Sequence, residues 1–129
     1  AVAAYNLGAL LSDSRPEEAL TWCRRAAALR PQEPKYTYTL AFYERRRGNL
    51  KRAVRLLRDL IRRHSAYEDG YRLLADIYES QGDRQNAVQL CRQAAANESL
   101  PEEIRQEFLA KLRSLANPLY HGVGPGQAK

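Results

Sequence analysis

The stretch YRLLADIYESQGDRQNAVQLCRQA, Tyr71 to Ala94, decides how this chain folds. Tyr71, Leu74, Ala75 and Tyr78 recur at three- and four-residue steps, so they share one face of a helix. Gly82 breaks that helix and Asp83 can cap a second one, in which Ala87, Cys91 and Ala94 again share a face. Large and small apolar residues alternate at fixed places, as two closely packed antiparallel helices require. One such pair cannot bury its own apolar face, so the pattern is expected to recur.

It recurs in both neighbouring segments. Moving the register back by 34 residues puts Thr37, Leu40, Ala41, Gly48, Ala53, Leu57 and Leu60 on the same places. A second shift, with one deletion in the turn, brings in Ala4, Leu7, Gly8, Leu11, Ala19, Cys23, Ala26 and Pro31. A repeat of this length and signature resembles the tetratricopeptide repeat family over residues 1 to about 101. The departures are local: Ala4 and Thr37 stand where the family often has Trp, Glu44 where it has Tyr, and Ser65 and Ser99 where it has Pro.

The resemblance implies an all-α fold, a right-handed superhelix (alpha-alpha solenoid) of three antiparallel helix pairs plus a capping helix. The repeats are expected at about 1–33, 34–67 and 68–101, the capping helix at about 100–116, and a flexible tail at 117–129. Capping boxes at Ser14–Glu17, Ser65–Glu68 and Ser99–Glu102 are expected to open three of the helices, and Asn49 to cap another. Ala53, Val54, Leu56, Leu57, Leu60 and Ile61 form one buried stripe, and Ile104, Phe108, Leu112 and Leu115 another on the capping helix. The tail, NPLYHGVGPGQAK, holds three Gly and two Pro and reads as disordered.

Composition sets limits. The 129 residues suit one domain, and 44% hydrophobic content suits a thin, continuous core. No apolar run approaches the roughly 18 residues of a membrane span. The chain starts at Ala1 and has no Met, so it is expected to be a piece of a larger protein, a bacterial one on its Arg-rich composition. Cys23 and Cys91 hold equivalent places two repeats apart, too far for a disulfide, and read as buried free thiols that permit either redox compartment.

Nothing in the sequence points to catalysis or a cofactor. His64 and His121 have no Cys or carboxylate pair at a spacing that would form a pocket. There is no phosphate-cradling glycine loop, no zinc-ligand spacing and no haem motif.

The repeat resemblance implies a concave channel lined by the first helix of each pair, on the side away from its partner. The channel-facing places are Tyr5, Ala9 and Ser12, then Tyr38, Phe42 and Arg45, then Arg72, Asp76 and Glu79. Exposed aromatics offer contact area at low entropic cost, and neighbouring Arg can grip a carboxylate, which suits a peptide or partner protein. The alternative is that these rings simply pack on one another. The clamp with which some family members hold chaperone C-terminal tails finds Tyr5, Ala9, Thr39, Asp69 and Leu73 at its places. None matches, which speaks against such a tail.

Two other surfaces stand out. From Arg45 to Arg63 there are nine basic residues and one acid, and Lys51, Arg55, Arg58 and Arg62 form a stripe on one helix face. Such a ridge could hold nucleic acid or acidic lipid, but no aromatic residue interleaves with it to stack on bases, and a solvated face is the plainer reading. No cap precedes the first repeat, so its outer face would meet preceding repeats or a second copy in a weak homodimer.

Overall fold

The computed structural model describes residues 16–116. Six helices lie within them: α1 (Pro16–Leu29), α2 (Pro34–Arg46), α3 (Leu50–Arg63), α4 (Glu68–Ser80), α5 (Arg84–Ala95) and α6 (Glu102–Ala116). The fold is all-α, with helices following one another through short turns. The first helix of the expected first repeat, with Tyr5, Ala9 and Ser12, the face it would expose, and the C-terminal tail lie outside the described residues. The chain divides within α4 into two compact units, up to Leu73 and from Leu74.

In the first unit α2 packs against both α1 and α3. Leu20 and Cys23 of α1 meet Leu40 of α2, with Tyr43 and Leu56 against them. Ala26 and Tyr36 form a second cluster that Trp22 covers. The small repeat positions Ala19, Ala26, Ala41 and Ala53 are all buried. Gly70 of α4 is buried as well. A Cβ there would come within 2.9 Å of Ile61 Cγ2 on α3, a distance at which atoms overlap.

In the second unit α5 packs against α6. Ala87, Leu90, Cys91 and Ala94 of α5 are buried, as are Ile104, Phe108 and Leu115 of α6. Burying a side chain the size of Phe108 stabilises by about 1.5–3 kcal/mol. Arg84 Nε of α5 donates to the Leu115 carbonyl at 3.0 Å, satisfying one of the orphan carbonyls in the last turn of α6.

The two glycine turns are built alike. Gly48 and Gly82 adopt left-handed φ angles of 85° and 71°. The Gly48 N–H donates to Arg45 O and the Asn49 N–H to Glu44 O, while Gly82 and Asp83 repeat the scheme onto Glu79 O and Tyr78 O. This is the two-bond glycine C-cap. The Asp83 side chain then caps α5 by accepting from the Asn86 N–H.

Several expected details differ. Asn49 precedes α3 but its side chain does not cap it; its amide donates to Glu44 Oε1 at 2.7 Å instead. The boxes at Ser65 and Ser99 open their helices late, because α4 begins at Glu68 and α6 at Glu102. The Ser65 carbonyl accepts from Tyr71 Oη, and the Ser99 N–H donates to Asn97 Oδ1. Val54, Leu56 and Leu112 are half-buried, at the margins of their stripes.

Candidate functional site

Helix α2 carries three kinds of surface. Pro34 sits in its first turn, where a missing N–H costs nothing. Tyr36, Thr37, Leu40, Ala41 and Glu44 face inward and are buried. Tyr38 and Arg45 are half-buried, and Phe42 and Arg46 are exposed. Phe42 is one of two large apolar side chains exposed among the described residues, the other being Leu29.

Phe42 is not a loose ring. It meets Tyr43 edge to face, with centroids 5.4 Å apart. Tyr43 packs on the Leu20–Cys23–Leu40 cluster, so it holds Phe42 against a fixed support. The Arg46 guanidinium lies 6.0 Å from the Phe42 centroid and 5.9 Å from that of Tyr43, within cation–π range of both. Arg46, one turn on from Phe42, therefore joins this surface, whereas helical spacing alone singled out Arg45. Tyr38 packs edge-on against Tyr67, centroids 6.0 Å apart.

The other residues expected to line a channel have partners of their own. Arg72 Nη1 lies 3.4 Å from Asp69 Oδ1 and 3.8 Å from Glu68 Oε1, all on α4. Asp76 is exposed. Glu79 Oε2 is buried and lies 3.1 Å from Lys111 Nζ of α6, an ionic contact without hydrogen-bond alignment. Of the clamp places within the described residues, Thr39 bonds to the Lys35 carbonyl, Asp69 pairs with Arg72, and Leu73 is buried.

On the basic ridge, Lys51, Arg55 and Arg58 are exposed and have no carboxylate partner among the described residues. Arg62 is hydrogen-bonded to Asp59, which Arg63 also contacts at 3.0 Å.

One arrangement escaped the sequence reading. Glu44 is fully buried. Its Oε2 accepts from Arg24 Nη2 of α1 at 3.2 Å and from Arg52 Nη1 of α3 at 3.3 Å, while Oε1 takes the Asn49 amide. A carboxylate thus ties three helices and a turn together. The only trace of this in the sequence was an acid at an inward place where the equivalent residue, 34 positions on, is Tyr78.

Both cysteines are free and buried. Burial raises the Cys23 thiol to about 11. Burial and then the Glu79 charge raise Cys91 to about 11 against the opposing pull of Lys111. Among the described residues no group of His, Cys, Asp and Glu could hold a metal ion, and no helix is long and apolar enough to cross a membrane. In the second unit an open cleft of about 890 Å³ lies between α5 and α6, lined by Asp83, Arg84, Val88, Arg92 and Leu112 among others.

No curated protein matches the chain. Residues 38–101 match the family model of the tetratricopeptide repeat. That segment runs from α2 through both glycine turns to the residue before α6, and its apolar signature places, such as Leu40, Ala41, Leu57, Leu74, Ala75 and Ala87, are buried. The helix-pair architecture, the paired glycine turns and this match agree: through residues 38–101 the chain belongs to the tetratricopeptide repeat family.

Proposed function

We propose that this chain is a non-catalytic interaction module that binds a peptide or partner protein on the exposed face of α2. The family generally mediates contacts between proteins, which makes a protein partner the first expectation. The observation that carries the reading is Phe42, exposed yet fixed against the core-anchored Tyr43 with Arg46 beside it. A rigid ring loses little entropy on binding, and aromatic and Arg residues dominate the energetics of protein interfaces. Tyr38 extends the same helix face one turn earlier, and Arg45 is half-buried on the same helix.

The chemistry of this face calls for a ligand with an apolar or aromatic group for Phe42 and a carboxylate for Arg46. Arg72 contributes less, because Glu68 and Asp69 already neutralise it. Selection from a random peptide library tests the reading. Winning peptides should combine an apolar residue with an acidic one, and Phe42→Ala with Arg46→Ala should weaken them at least about tenfold, the loss of one interface anchor. Winners that bind the double variant equally well would remove this face from consideration.

A further inference from the structure

The Glu44 cluster has an outward side. Arg24 and Arg52 both reach the same buried oxygen, so their guanidinium groups stand next to each other. The two side chains remain 47% and 50% exposed. Each spends one nitrogen on Glu44, and their other N–H groups have no acceptor among the described residues. Two cations against one carboxylate leave an excess positive charge. Arg55, one turn on from Arg52, and Lys51 beside it are exposed and add to it.

We infer that Arg24 and Arg52 form an oxyanion site that takes a phosphoryl group carried on an acidic protein segment. A phosphoryl group has three strong acceptor oxygens, enough to engage two forks at once. Arg side chains normally lose much rotamer freedom when they bind an anion. Here the buried carboxylate has already fixed both, so the remaining donors are preorganised. Lys51 and Arg55 would meet acidic residues flanking the phosphoryl group. A protein carrier is favoured over nucleic acid because α3, LKRAVRLLRDLIRR, has no aromatic residue on which a base could stack, and Trp22, the aromatic residue of α1, is half-buried with Arg25 over its ring at 4.7 Å. This site lies on α1 and α3 and is separate from the Phe42 face of α2.

The test begins with the wild-type protein and inorganic phosphate, followed by NMR of the Arg Nε–H resonances. The Arg24 and Arg52 signals should move together and saturate. If they stay still, or drift no more than those of Arg58 and Arg113, there is no site. Binding is then measured for an acidic phosphoserine peptide, its unphosphorylated twin and a short DNA duplex at one salt concentration. The phosphopeptide should bind at least about tenfold tighter than its twin, the gain from charge-assisted forked contacts. Arg24→Lys with Arg52→Lys keeps the charges facing Glu44 and should abolish that preference, whereas Arg113→Lys should not alter it. Equal binding of the twins would overturn the proposal. Tighter binding of the duplex would overturn the protein carrier and give this face to nucleic acid.

Discussion

Glu44 and Tyr78 stand 34 residues apart and close equivalent turns, each through its carbonyl, at 2.8 Å from the Asn49 nitrogen and 2.9 Å from the Asp83 nitrogen. Both side chains are buried. Tyr78 does what the repeat expects of an aromatic at this place. Glu44 puts a carboxylate there, and Arg24, Asn49 and Arg52 gather around it. The backbone therefore repeats faithfully while the buried side chain changes from an aromatic ring to an ion-paired carboxylate.

Removing that carboxylate should be costly. Breaking a fully buried ion pair costs about 3–5 kcal/mol. The two guanidiniums here are half exposed and can rehydrate, so Glu44→Ala should cost about 2–3 kcal/mol. Urea unfolding measures it. A loss below about 0.5 kcal/mol, the range of neutral surface changes, would mean the cluster does not hold α1, α2 and α3 together.

Gly70 is a second place where one atom matters. Gly70→Ala puts a methyl group 2.9 Å from Ile61 Cγ2 and 3.4 Å from Leu60 Cδ2. The helix propensity gain of about 1 kcal/mol is set against an overpacking cost of about 1–3 kcal/mol. The net effect should be destabilising, and in an Ile61→Ala background, which removes Cγ2, Gly70→Ala should cost less. An unchanged melting temperature for Gly70→Ala alone would contradict the close approach of α3 and α4.

The thiols make a prediction about pH. Both are held neutral up to about 11, above the ordinary 9. Their neutral form is the one the fold accommodates, so this contribution is complete below pH 9. It is lost as pH rises through the window from 9 to 11, where the unfolded chain has already released the protons. Cys23→Ala with Cys91→Ala should flatten the fall in stability across that window. At pH 7 both thiols should react slowly with alkylating reagents unless the protein is unfolded. Rapid labelling of either in the native state would contradict its burial.

Much of the fold was legible because it rests on period and size. The small residues Ala41, Ala53, Ala75 and Ala87 mark helix–helix approaches, Gly48 and Gly82 mark turns, and all of these hold the places that the repeat register gave them. The buried stripes narrowed only at their edges, at Val54, Leu56 and Leu112. What the sequence could not reveal depends on which partner a polar side chain finds. Asn49 stands at a cap place, yet Glu44 draws its amide away. Lys111 lies outside the apolar stripe of its helix, yet it reaches Glu79. Arg45 and Arg46 are adjacent in sequence, and only the geometry of the Phe42 and Tyr43 rings brings Arg46 into the candidate site.

Phe42 should be cheap to remove in the free protein. It is 38% exposed and contributes mainly its edge contact with Tyr43, a contact worth about 0.5–1.5 kcal/mol. Because part of the ring is also buried, Phe42→Ala should lower stability by less than about 3 kcal/mol. A loss of about 3–5 kcal/mol, the range of buried aromatics, would make Phe42 a core residue and remove its role as an anchor.

The central claim, a partner seated on the Phe42 face, is tested most directly by photo-crosslinking. A photoreactive phenylalanine analogue is placed at position 42 in one protein and at position 58 in another, and each is irradiated in extract of the source cells at high salt. One discrete crosslinked protein is expected from position 42, lost when Arg46 is changed to Ala, and none from position 58. No adduct at position 42, or the same adducts from both positions, would contradict it.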